Sequence, residues 1–295
     1  MATPIYSIIP RLVATLAFTL GGALVGRAGP ENGAKTAGQE MDRSPRRVLI
    51  VTTSHAVLGN TGYPTGFWLP EVTHPYFELN RAGFEIDIAS PDGGRPPVDP
   101  YSDPANPSGV NKDDILSVGF LNSPQHVAKL NSSLKLATVD PSRYEAVLFA
   151  GGNGAVFDLR DDPDAKKVIL GVWKQGGIVA ALCHGTAALL DIKLDDGSYL
   201  IAGEPVTGFS NREEAIAQQQ IGAKYLPFYL QDEIVKQGGK YQEAPPFTPA
   251  IAVGRGGRLV TGQQNFSGTL VGRKLVELLE ASCPAEKAAT TYNHN

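Results

Sequence analysis

Cys183 and His184 stand together in "VAALCHGTAALL" (residues 179–190), between a run of small apolar residues and what reads as the first turn of a helix. A strand that turns sharply into a helix exposes the residue at the turn above the carboxyl ends of a sheet, and the helix N-terminus beneath it carries about half a positive charge. That charge and the free amides favour thiolate over thiol, so the sequence predicts a Cys183 pKa below the ordinary value of about 8.5 and a nucleophilic sulfur. Ala180, Ala181 and Gly185 are small enough for the tight approach such an elbow needs. A lone cysteine more often packs as a small core residue; the histidine and glycine that follow favour chemistry here. His184 can carry a proton near neutral pH, although adjacency alone does not turn its ring toward the sulfur, and it also reads as a polar first-turn residue. "AGGNGA" (residues 150–155) ends a strand, and glycines there let the backbone approach a ligand and offer amides to a developing oxyanion. Neither a Walker lysine nor the spacing G-x-G-x-x-G is present, which argues against phosphate binding.

The elements that must hold these groups are legible as alternation. "RRVLIVTTS" (46–54), "FEIDIAS" (84–90), "YEAVLFAGGNG" (144–154) and "GIVAAL" (177–182) are short apolar runs of the kind buried parallel strands show. Helical patterns fill 68–81, 163–175 and 267–280; in the last, Leu270, Val271, Leu275, Leu278 and Leu279 share a face. Asp196-Gly197 and residues 250–262 carry hairpin signals, and the Pro-rich stretch 91–109 reads as a surface excursion. The predicted fold class is α/β, a doubly wound three-layer sandwich with a mostly parallel sheet.

Four segments together, "AALCHGTAAL", "FAGGNGA", "GFWLPEVTHPYFELNRAGFEIDIASPDGG" and "VTGFSNREE", resemble the ThiJ/PfpI superfamily of the class I glutamine amidotransferase-like, flavodoxin-like fold, and most of all its HchA-like, glutathione-independent glyoxalase III branch. The resemblance spans roughly residues 46–280. It implies that Cys183 is the nucleophile, that His184 is its proton carrier, that Glu71 hydrogen-bonds the sulfur, and that an acid in "TGFSNREE", Glu214 rather than Glu213, orients the histidine. It implies oxyanion amides from Gly152 or Asn153 and from His184, no cofactor, and a homodimer. The residues also allow plainer roles. Asn211 and Glu214 have capping-box spacing, and Glu71 also reads as a solvated first-turn glutamate, although Trp68, Leu69, Phe77 and Leu79 make its surroundings apolar and favour a buried, protonated carboxyl. His55 and His74 near Glu71 match no strong zinc pattern, so no metal is expected. "GQQNFSG" (262–268) departs from the "NP" of some relatives and predicts a different pocket wall.

The chain has 295 residues and a formal net charge of -4, with 26 basic against 30 acidic side chains, and no basic stripe for nucleic acid. Residues 1–28, with Arg11 ahead of the apolar stretch 12–26, read as a signal peptide or N-terminal anchor and predict an exported protein. Residues 29–45 read as a flexible linker, 46–282 as the α/β domain and 283–295 as a polar tail. Two cysteines, Cys183 and Cys283, give no disulfide framework. The expected activity is cofactor-independent conversion of 2-oxoaldehydes such as methylglyoxal to hydroxy acids. The alternatives are a cysteine amidase or peptidase with the same nucleophile, and a stress chaperone or redox sensor.

Overall fold

The computed structural model describes residues 45–282, so the apolar segment, nearly all of the linker and the tail with Cys283 lie outside the described residues. In chain order the first half gives β1 (Arg47–Val51), α1 (Pro70–Arg81), β2 (Glu85–Ser90), α2 (Ile115–Leu121), α3 (Pro124–Asn131), β3 (Leu134–Lys135), β4 (Ala146–Phe149) and α4 (Ala155–Asp158). The second half gives α5 (Pro163–Lys174), β5 (Ile178–Leu182), β6 (Pro205–Val206), α6 (Asn211–Ile221), α7 (Leu230–Lys236), β7 (Lys240–Tyr241), β8 (Ile251–Gly254), β9 (Leu259–Gly262) and α8 (Gly268–Ala281).

Every residue of β4, β5 and β9, and all of β1 after Arg47, is buried, as expected of strands covered on both faces. Seven strands form one sheet in the order β3-β2-β1-β4-β5-β9-β8, parallel except for the β8–β9 hairpin. α1 and α8 pack on each other, α8 also covers β5 and β9, and α5 packs against β4 and β5. The sheet is thus mostly parallel and flanked by helices. Its strand order reverses between β1 and β4, and in such folds ligands bind in the crevice beyond the carboxyl ends of the strands near that reversal.

Local chemistry sets the helix ends. Pro70 opens α1, two residues later than the periodicity predicts, because a proline fits the first helical position and needs no N–H partner. Asp162 caps α5 by accepting from the amides of Asp164 (2.7 Å) and Ala165 (2.9 Å). On α8, Val271, Leu275 and Leu279 are buried, whereas Leu270 is exposed at the edge of the expected apolar face. The Asp196-Gly197 turn closes a single bridge, Lys193 to Tyr199, rather than an extended hairpin.

Candidate active site

Cys183 follows the last residue of β5 with φ of 57°, a left-handed conformation that only a tightly determined setting holds in a non-glycine residue. Leu182 before it is extended, and Gly185 after it packs so close to β4 that a Cβ would lie 2.3 Å from the carbonyl oxygen of Phe149. The helix expected after the elbow is present over Cys183–Leu189, as a 3-10 helix. The sulfur lies deep, with Cys183 5% exposed. Burial pushes the thiol up, a charged Glu71 would push it further, and the amides of His184 and Gly152 pull the other way by favouring thiolate. The expectation of a depressed pKa is therefore corrected. Desolvation outweighs the end of a short 3-10 helix.

His184 does turn toward the sulfur. Its Nδ1 lies 3.6 Å from Cys183 Sγ, and its Nε2 lies 2.5 Å from Glu214 Oε1. The ring packs against Phe209, centroids 4.4 Å apart, and is itself 3% exposed. With Nε2–H donating to Glu214, the Nδ1 lone pair is left to accept the thiol proton. Glu214 is free for this because the capping box sits one residue earlier than the Asn211–Glu214 spacing suggests. Ser210 is the N-cap, its hydroxyl accepts from the Glu213 amide (3.2 Å), and the Glu213 carboxylate accepts from the Ser210 amide (3.0 Å).

Glu71 is fully buried in the first turn of α1. Its Oε2 accepts from the Gly151 amide (2.8 Å), and its carboxyl lies within reach of Cys183, with Oε1 buried and taking no other hydrogen bond. Burial raises its pKa from 4.5 to about 8 against both of those contacts, so near neutral pH it is a neutral donor to the sulfur. Gly152 has φ of 96°, and a Cβ there would lie 2.4 Å from the Gly66 carbonyl oxygen and 2.5 Å from the Trp68 nitrogen. That close approach sets its amide against the sulfur. Asn153 sits one residue further along the loop, half-buried. Cys183, His184, Glu214, Glu71 and Gly152 are thus brought together from four separate elements.

A sequence model of the DJ-1/PfpI family matches residues 64–278, a span that holds all of these groups. The chain belongs to the DJ-1/PfpI family. It is 28% identical over 239 residues to Glyoxalase 3 of Candida albicans, covering 80% of this chain and 99% of that protein. It is 31% identical over 226 residues to Glutathione-independent glyoxalase HSP31 of Saccharomyces cerevisiae, covering 74% and 92%. The crystal structure of glyoxalase III from Candida albicans superposes with a TM-score of 0.69 at 27% identity, covering 79% of this chain and 97% of that one.

Within this DJ-1/PfpI chain the other histidines near Glu71 in sequence are committed elsewhere. His55 bonds the Val57 carbonyl oxygen (2.5 Å) and stacks on Phe157, while His74 pairs with Asp114 (2.9 Å) and approaches Thr269 (3.3 Å). Among the described residues no three His, Cys, Asp or Glu side chains cluster as a metal-binding group. Sequence reasoning missed the clamp that holds the loop ahead of α1. Phe67 donates to Pro97, Asp99 donates back to Phe67, Thr65 Oγ1 donates to the Asp99 carboxylate (2.9 Å), and Leu69 N donates to Ser102 Oγ (2.9 Å). The Pro-rich excursion therefore fixes Glu71. The Pro97-Val98-Asp99-Pro100 break within it was the signal available in the sequence.

Proposed function

We propose that the protein converts 2-oxoaldehydes such as methylglyoxal to 2-hydroxy acids without glutathione. The observation that carries this reading is a buried sulfur 3.6 Å from a histidine nitrogen whose ring is held from behind by Glu214, with a protonatable Glu71 on its other side. The curated relatives named as glyoxalases support it.

Cys183 Sγ adds to the aldehyde carbon; the thiol proton goes to His184 Nδ1, and the aldehyde oxygen takes negative charge facing the amides of Gly152 and His184. Its protonation gives a hemithioacetal. The hydrogen on that carbon then leaves as a proton and returns to the neighbouring carbon through an enediol, His184 and Glu71 being the carriers in reach. The first carbon is oxidised to a thioester and the second reduced to an alcohol, so no outside oxidant enters. Water hydrolyses the thioester, releasing hydroxy acid and restoring the thiol. Proton transfer by a placed side chain contributes about 10²–10⁴-fold.

The depth of the reacting pair, 5% and 3% exposed, favours a small aldehyde over a peptide bond. Purified full-length protein should form lactate from methylglyoxal in the absence of glutathione, and Cys183→Ala should form none; equal rates in the two would refute the reading. The same reading carries export after removal of residues 1–28, tested by the N-terminal sequence of protein recovered outside the cytoplasm. It also carries a homodimer, for which the exposed Phe77, Ile115, Phe266 and Leu270 are apolar side chains available to a partner. A stress-chaperone role would use the same exposed apolar side chains, and suppression of client aggregation by Cys183→Ala would show it.

A further inference from the structure

Glu213 is as buried as its catalytic neighbour Glu214 and makes more contacts than a helix cap requires. Its Oε2 serves the cap, accepting from the Ser210 amide (3.0 Å) and hydroxyl (2.8 Å). Its Oε1 reaches across to the Phe247 amide (2.8 Å), 34 residues along the chain. Phe247 has φ of 58°, a left-handed conformation that a bulky aromatic residue adopts only where its surroundings over-determine it.

Phe247 belongs to the proline-rich strap "APPFTP" (244–249), which is held at its other end by Gln263, whose amide pairs with both the nitrogen (2.7 Å) and the oxygen (3.2 Å) of Ala244. Gln263 follows β9, and β9 pairs with β5 at Leu182, the residue before Cys183. The chain entering the strap is tied to the loop ahead of α6: Tyr241 donates its hydroxyl to Gly208 O (2.6 Å) and Gln242 N donates to Val206 O (2.8 Å). The next residues of that loop are Phe209, whose ring lies on His184, and Ser210, which Glu213 caps. Two of the groups that touch the His184 ring, Phe209 and Glu214, thus stand on a segment that one carboxylate, Glu213, fastens to the strap.

Resting on the Cys183–His184–Glu214 assignment made above, we infer that Glu213 is a positioning residue for the reaction: by tying the α6 N-terminus to the strained strap at Phe247, it fixes Glu214 against His184. The requirement for a carboxylate is specific. Three donors, the Phe247 amide and the Ser210 amide and hydroxyl, face two oxygens, and a carboxamide of the same shape can serve only one side. Tyr241 and the Arg212–Glu243 pair are the other titratable groups around this tie, and the Tyr241 hydroxyl is pushed up by its burial and then by the charge of Glu213.

The test compares full-length Glu213→Gln with Ser210→Ala, which removes the cap hydroxyl and leaves the strap tied. Iodoacetamide alkylation of Cys183 across pH needs no substrate, so its outcome stands whether or not methylglyoxal is turned over. Glu213→Gln should displace the alkylation profile to higher pH, in the same sense as Glu214→Gln, and lower kcat for methylglyoxal by about tenfold to a hundredfold with KM within about twofold, since misplacement of about 1 Å costs on that scale. Ser210→Ala should leave the profile unmoved. An alkylation profile in folded Glu213→Gln that superposes on wild type overturns the inference, as does an equal displacement in Ser210→Ala. Should Glu213→Gln fail to fold, Glu213→Asp, which can still cap α6 but falls short of Phe247, should show a smaller displacement in the same direction; a wild-type profile there overturns it equally.

Discussion

Cys183 is subject to opposed influences, and their balance decides how it can act. Burial favours the thiol, as Glu71 does once it ionises, while two amides favour the thiolate. A sulfur in this setting becomes nucleophilic by handing its proton to His184 at the moment of attack. Replacing His184 by Gln should therefore lower kcat by about 10²–10⁴-fold while leaving the thermal midpoint near that of wild type, as steady-state kinetics and calorimetry would show. Glu71 makes a separate prediction about stability. Its pKa rises from 4.5 to about 8 on folding, so the folded state holds that proton more tightly than the unfolded chain. The stabilisation is complete at the acid end and is lost as pH rises through that window. Asp99 and Asp158, raised by burial from 3.8 to about 6, act in the same sense at lower pH. The melting temperature should fall between about pH 6 and pH 8, and Glu71→Gln, neutral throughout, should flatten that fall; an unchanged slope would show that Glu71 titrates alike in both states. The pairing of Cys183 with His184 came from the family resemblance rather than from adjacency, because Glu214 and Phe209, which hold the ring, lie far along the chain. The direction of the thiol shift was not legible, because desolvation comes from chain that arrives from elsewhere in the sequence.

At the scale of elements, the turn after β4 and the elbow after β5 work because glycines let two backbones meet. A Cβ at Gly151 would fall 2.6 Å from the Leu182 carbonyl oxygen, 2.7 Å from the His184 nitrogen and 2.8 Å from Glu71 Oε2. Gly151→Ala should therefore cost activity by at least about tenfold through displaced catalytic groups. Gly152→Ala adds a positive φ and should destabilise by about 1–3 kcal/mol, read by denaturant unfolding; wild-type activity and stability in both would mean that the loop is freer than its packing indicates. Strands β1, β4 and β5 were readable because strands buried on both faces are continuous apolar runs. The α6 boundary was displaced by one residue because Ser210 and Asn211 are both good caps and only the geometry chooses between them. The short helices α2, α3 and α7, at seven or eight residues, carry too few turns for a periodic signal. The 3-10 form of Cys183–Leu189 leaves no trace in composition.

For the whole molecule, the fold class was legible from alternation, whereas the strand order that puts β1 beside β4 and β5 beside β9 depends on pairings between distant segments. The groups proposed to react come from α1, the β4 turn, the β5 elbow and α6, all of which lie within residues 45–282. A protein of those residues alone should fold cooperatively and keep kcat/KM within about twofold of the full chain, because the groups that supply transition-state binding are all retained; a large loss would assign a role to residues 1–44 or 283–295. Among the described residues no helix is long and apolar enough to cross a membrane. The proposal as a whole turns on a covalent bond between substrate and Cys183. Rapid-quench, peptide-mapped mass spectrometry during methylglyoxal turnover reads that bond directly. The expected result is a substrate adduct on the Cys183 peptide that forms and decays as fast as lactate appears. Lactate formation at the full rate with the Cys183 peptide unmodified at every time point would contradict it.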